Sequence, residues 1–347
     1  MYHGGIIQTR CCARAGFIGN PSDGFYGKTI SVIVHNWAAE VQLWESPQLV
    51  IEPNREHDPY VFEGLAALHA KAVRESYYGG IRLVYAACKR FYDACLEKGL
   101  LLPDRNFTVR YATTIPRGLG LAGSSAIVTA VVRALLEFYG LREEDFGKPK
   151  LPNLVLSVET KELGLTAGLQ DRVIQVYGGA CYMDFAKERM ERDGHGLYVP
   201  MDVNLFPPLY IAMVSDPSES SGIHSPVRVR WERGDPEVHA AMAEFAALAE
   251  TCRGALERHD WDDVHALMDA NFDLRRRLYG DEALGQANIR MIEVARSLGA
   301  SAKFCGSGGA IVGMYQDSRH FDEVKAALTA EGFQVVRARL RETDPAG

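Results

Sequence analysis

The segment Pro116-Arg-Gly-Leu-Gly-Leu-Ala-Gly-Ser-Ser-Ala126 constrains what this chain can fold into more than any other. Before it, Phe107 to Thr114 is β-rich and partly alternating. After it, Ile127, Val131, Leu135 and Phe138, with Val128, Val132, Leu136 and Tyr139 beside them, recur at helical spacing and stop at Gly140. The order is strand, glycine loop, helix N-terminus. Free N–H groups and the positive end of the helix dipole face the loop, and an anion such as phosphate suits both.

Three nucleotide folds build such a loop. The classical P-loop requires a lysine directly before the Ser/Thr, and none precedes Ser124. The dinucleotide fingerprint is matched literally by Gly118-x-Gly120-x-x-Gly123, but it also requires a second strand ending in an acid about 20 residues on. Here Arg142 to Lys150 is polar with no strand, so the pattern is accidental. The third possibility is carried by Pro-x3-Gly-Leu followed by Gly-Ser-Ser-Ala. That loop resembles the phosphate loop of the GHMP kinases, which is usually one residue shorter between Leu and Ser-Ser.

Two further segments point the same way. Arg14-Ala-Gly-Phe-Ile-Gly-Asn-Pro-Ser-Asp-Gly-Phe-Tyr-Gly-Lys28 resembles the first motif of that superfamily. Lys303-Phe-Cys-Gly-Ser-Gly-Gly-Ala310 resembles its third, a glycine loop that packs beside the phosphate loop. The longer loop, Asn20-Pro-Ser-Asp23, Tyr77-Tyr-Gly-Gly80, Ala167-Gly-Leu-Gln-Asp-Arg-Val173, His224-Ser-x-Val-Arg228 and Asn271-Phe-Asp-Leu-Arg-Arg-Arg277 narrow the resemblance to the glucuronokinase branch, from about Arg10 to about Val336. It implies an α+β, two-domain GHMP kinase fold with the active site in the interdomain cleft. It also implies ATP and Mg²⁺, and transfer of the γ-phosphoryl group to the anomeric hydroxyl of D-glucuronate. Periodicity and composition do not name that sugar.

At 347 residues the chain is long enough for two packed domains. The net charge of −7 argues mildly against a nucleic-acid partner, but local basic residues decide whether anionic substrates bind. Seven cysteines without CxxC spacing read as reduced thiols of a cytoplasmic protein. No run approaches the roughly 18 apolar residues of a membrane span, and no signal pattern opens the chain. Oligomeric state is open.

Strands are expected at 6–18, 29–44, 107–114, 178–185, 209–215 and 334–338, with short strands around the Gly306 loop. Helices are expected at 65–76, 81–98, 124–139, 153–162, 236–258, 261–279, 281–298 and 321–331. The polar, glycine-bearing stretch from Lys187 to Pro200 suggests a boundary. That gives an N-terminal domain, 1–200, carrying the phosphate loop at 116–126, and a C-terminal domain, 201–347.

Phosphoryl transfer asks a protein mainly for positioning and charge neutralisation. Pro116, Gly118, Gly120, Leu121, Ala122, Gly123, Ser124, Ser125 and Ala126, with Gly306, Ser307 and Gly308, are the expected ATP-binding residues. Glycine admits the phosphates without a Cβ clash. Ser124 suits a helix cap, and family position makes Ser125 the metal ligand beside Glu159 rather than Glu162. In the galactokinase-like Gly168-Leu-Gln-Asp171, the Asp171 carboxylate is the expected base. Arg14 and Lys28 are the expected charge neutralisers, Arg14 at the sugar-kinase position and Lys28 at one from the mevalonate branch. The resemblance assigns sugar recognition to Asn20, Ser22, Asp23, Tyr26 and His224. A uronate carboxylate needs an arginine. Arg172 is the first choice and the helix bearing Arg275, Arg276 and Arg277 the second, with Arg276 at its centre. Other acceptors (fucose, arabinose, galacturonate, a heptose phosphate), a non-catalytic ATP or sugar sensor, and an NAD enzyme are the competing readings.

Overall fold

The computed structural model describes residues 5–75, 79–215 and 227–343. Its elements begin with strands β1 (Ile7–Ile18), β2 (Lys28–Glu45) and β3 (Val50–Glu52), then helices α1 (Leu65–Glu75) and α2 (Gly80–Glu97). Strand β4 (Phe107–Thr113) leads through the glycine loop to α3 (Gly123–Phe138), α4 (Glu143–Phe146), α5 (Leu151–Ser157), a π-helical turn at Val158–Glu162, and α6 (Gln170–Tyr177). Next come β5 (Ala180–Asp184), α7 (Lys187–Asp193), β6 (Leu197–Met201) and β7 (Leu209–Met213). Four helices follow: α8 (Val227–Glu232), α9 (Pro236–Glu257), α10 (Trp261–Tyr279) and α11 (Asp281–Leu284). The chain closes with α12 (Gln286–Ser297), β8 (Lys303–Phe304), β9 (Ala310–Met314), α13 (Ser318–Ala330) and β10 (Gln334–Arg337).

Contacts divide the chain into two compact units. The first is 1–12, 37–115 and 123–176; the second is 13–36, 116–122 and 177–347. The division threads through β1 and β2 and cuts the glycine loop before Gly123. Pro200 falls inside the second unit, on β6, because the polar 187–200 stretch makes α7 and a strand paired antiparallel with β5.

In the first unit the C-terminal half of β2 pairs antiparallel with β4, from Ala39 opposite Thr113 to Glu45 opposite Phe107, and β3 adds to β4 in parallel. Helix α3 is apolar nearly all round and buried along its length, as a central helix must be. It packs on α2 and α5. The Phe107 and Phe138 rings meet edge-on at 5.3 Å, tying β4 to the end of α3.

In the second unit the first residues of β2 pair with β5, and a separate antiparallel sheet runs β10-β7-β9-β8. Helices α9 and α10 pack together, with α10 on β8. Phe25, from the first motif, is buried with Val238, Met242, Phe245 and Leu274, which fixes that motif to the α9 and α10 pair. The apolar pattern that reads as one helix over 281–298 is two, because Gly285 takes φ +81° and ends the first. No helix among the described residues is long and apolar enough to cross a membrane.

Candidate active site

In the second unit the glycine loop alternates. Gly118, Gly120 and Ala122 have positive φ, at 75°, 64° and 63°, whereas Leu119 and Leu121 between them do not and bury their side chains. Alternation in the sign of φ over a tight turn can point successive N–H groups into a concave nest for anions. A left-handed alanine costs free energy, and such strain collects at ligand sites. Gly120 has no room for a side chain: a Cβ would stand 2.9 Å from Gly308 O and from Ser307 N. The third glycine motif is therefore packed directly on the glycine loop at Gly120.

Arg14 fastens the two loops. Its Nη1 donates to Gly120 O at 2.6 Å and to Cys305 O at 3.2 Å, and its backbone N–H donates to Leu121 O. Lys28 is placed differently. Its ammonium is held by Glu250 at 2.5 Å, with Asp184 at 3.8 Å, and Tyr182 also donates to Glu250. These partners push the Lys28 pKa up and the Glu250 pKa down.

The rest of the first motif is held by buried polar contacts. Gly19 N–H donates to Asn271 Oδ1 at 2.7 Å, and Asn271 Nδ2 donates to Asn20 O. The fully buried Lys303 donates to Gly16 O (2.7 Å), Asn20 Oδ1 (2.6 Å) and Phe304 O (2.8 Å). Burial drives its pKa down, and the nearby Arg275 and Arg14 push the same way. Asn20 and Ser22, expected on the sugar, are buried and engaged: Asn20 Nδ2 donates to Phe304 O of the third motif, and Ser22 Oγ to Lys28 O of its own. Asp23 is half-buried and Tyr26 is exposed.

In the first unit, Ser125 is buried on the opening turn of α3. Glu159 sits on the π-helical turn, a feature common at functional sites, and ion-pairs with Arg172 Nη2. The same arginine donates from Nη1 to Gly168 O at 2.9 Å and to Asp171 Oδ2 at 3.4 Å. Arg172, expected to read a substrate carboxylate, is thus buried and engaged by two carboxylates of its own unit. Glu159 Oε1 has no hydrogen-bond partner among the described residues. A buried carboxylate with one oxygen in hand, and a hydroxyl at a helix start, suit Mg²⁺, which takes hard oxygens and few protein ligands.

The three consecutive arginines of α10 differ. Arg276 is paired with Asp281 and Glu293, and Arg277 with Glu244. Arg275 is 4% exposed and carries no ion pair among the described residues. Its Nη1 donates to Gly306 O at 2.9 Å, and its guanidinium lies over the Phe304 ring at 4.6 Å. Arg228 lies over the Phe25 ring at 4.3 Å. His224, and Tyr77 of the Tyr-Tyr-Gly-Gly segment, lie outside the described residues.

Comparison with known proteins gives the family. The family model for the GHMP kinases N terminal domain matches residues 82–179, and that for the GHMP kinases C terminal region matches 252–334. The chain is 50% identical to probable glucuronokinase 2 of Arabidopsis thaliana, over 98% of this chain and 94% of that one. It is also 50% identical to glucuronokinase 1 of the same plant, over 88% and 84%. The chain belongs to the glucuronokinase family of the GHMP kinases.

Solved structures of other GHMP kinases share its fold at low identity. Lactococcus lactis galactokinase complexed with galactose aligns with a TM-score of 0.71 at 14% identity, covering 96% of this GHMP kinase and 93% of that chain. Methanococcus jannaschii mevalonate kinase aligns at 0.68 and 16%, covering 97% and 98%. Lys303 is not among the expected site residues, and the motif leaves Arg275 unranked beside Arg276 and Arg277. Lys303 opens the third motif without belonging to its glycines. Arg275 does carry a signal: Val264, Met268, Asn271, Arg275 and Leu278 fall on one buried stripe of α10, at helical spacing.

Proposed function

We propose that the protein transfers the γ-phosphoryl group of ATP to the anomeric hydroxyl of D-glucuronate, giving glucuronate 1-phosphate. The observation that carries this is 50% identity to a probable glucuronokinase over nearly the whole of both chains. The phosphates lie in the nest of Gly118 to Ala122, where the backbone N–H groups donate to their oxygens. Arg14, already held on Gly120 O, faces the charge that develops on the transferred group. Asp171 orients the anomeric hydroxyl and takes its proton as O1 bonds to the γ-phosphorus and the bond to the β,γ-bridging oxygen breaks. Arg172 Nη1 donates to Asp171 Oδ2 and so limits where that carboxylate can point. Ser125 and Glu159 would hold Mg²⁺, which would neutralise charge on the nucleotide phosphates. Asp23 and Tyr26 of the first motif meet the sugar.

The product tests the reading. Incubation with MgATP and D-glucuronate is expected to release ADP and yield a sugar phosphate whose ³¹P signal couples to the anomeric proton and which mild acid hydrolyses. An acid-stable phosphate on another hydroxyl, or no sugar phosphate, contradicts it.

A further inference from the structure

We infer that Arg275 recognises the carboxylate of the sugar acid, an inference that rests on the glucuronate reading above. A guanidinium presents its N–H groups in a fixed fork. Gly306 O takes Nη1 of Arg275. The edge formed by Nε and Nη2 has no acceptor among the described residues, and Nε is buried without a hydrogen bond. Two parallel N–H bonds on one edge match the two oxygens of a carboxylate.

The charge around that edge favours an anion. Lys303, also buried, hydrogen-bonds among the described residues only to uncharged oxygens, and it and Arg275 act on each other through space. Burial lowers the Arg275 pKa, yet an arginine stays protonated at any working pH. A buried cation without an ion pair is costly, so an arriving anion that pairs with it binds favourably.

Arg275 reaches two motifs. Its Nη1 holds Gly306 O, in the loop that abuts Gly120 and Arg14. It also feels the Asp23 carboxylate of the first motif, the residue proposed to hold sugar hydroxyls. The competing arginines are engaged: Arg172 by Glu159 and Asp171, Arg276 by Asp281 and Glu293.

The test is calorimetric binding of D-glucuronate and of its neutral amide, D-glucuronamide, with a non-hydrolysable ATP analogue present. Wild type is expected to prefer the acid by about 10-fold or more. Arg275→Gln is expected to weaken glucuronate about 10- to 100-fold while glucuronamide and the nucleotide change by less than about 3-fold. Arg275→Lys keeps the charge without the fork, and is expected to fold, bind nucleotide normally and lose about 10-fold on glucuronate. It carries the test if the glutamine variant fails to fold. A folded variant that keeps the preference for the acid overturns the inference alone. So does one with unchanged glucuronate KM and reduced kcat, which puts Arg275 on the transferred phosphoryl group. Failure of wild type to bind glucuronate contradicts the reading beneath it instead.

Discussion

Arg172 is ion-paired with Glu159, both are buried, and the Asp171 carboxylate lies 3.4 Å from the same guanidinium. One arginine therefore governs both carboxylates assigned to the chemistry. Removing one partner of a buried pair leaves an uncompensated charge, at about 3–5 kcal/mol. Arg172→Gln is expected to lower the urea-unfolding free energy by about that much. Unchanged stability together with a raised glucuronate KM would return Arg172 to the role of carboxylate reader.

Asp171→Asn keeps size and hydrogen bonding but cannot accept a proton. It is expected to fold, to bind MgATP normally and to lose about 10²- to 10⁴-fold in kcat. Steady-state kinetics decide, and a kcat within about 3-fold of wild type would remove Asp171 from the mechanism.

Arg14 and Lys28 part company. Arg14→Met is expected to cut kcat by about 10²-fold or more, and Lys28→Met by less than about 3-fold. Lys28 has a pH consequence instead. The Glu250 pKa is lowered from 4.5 by Lys28, so the pair stabilises the protein above that value and ceases to as pH falls through the lowered one. The Tm difference between wild type and Lys28→Met is expected to shrink on acidification over that range. The reverse order of kcat effects would put Lys28, not Arg14, at the phosphoryl group.

Gly120→Ala places a Cβ 2.9 Å from Gly308 O at φ +64°. The cost, about 1–2 kcal/mol for the left-handed conformation alone, falls on the junction of the two glycine loops. KM for ATP is expected to rise about 10-fold or more, with glucuronate affinity less affected. An alanine variant with wild-type ATP kinetics would show that the loop is not the phosphate cradle.

Much of this was legible without coordinates, and the rest was hidden for physical reasons. The strand, glycine loop and helix around 107–138 are local periodicities, and the fold keeps them within a residue or so. The Glu159–Arg172 pair was not legible, because the helix expected over 153–162 ends in a π-helical turn whose side-chain direction spacing does not reveal. Nor do motifs choose among Arg275, Arg276 and Arg277: neighbours on a helix point about 100° apart, and one is buried while two face carboxylates at the surface. Asn20 and Ser22 look like ligands in the sequence, yet Asn20 ties its loop to Phe304 and Ser22 ties it to Lys28.

A kinase for a sugar acid must turn over the acid in preference to neutral sugars. This is measured as kcat/KM for ADP release from MgATP against glucuronate, galacturonate, galactose, fucose and arabinose, with purified protein. Turnover with glucuronate is expected to be at least about 10-fold more efficient than with any neutral sugar, the margin expected of a charge-assisted carboxylate contact. Faster turnover of a neutral sugar would contradict it.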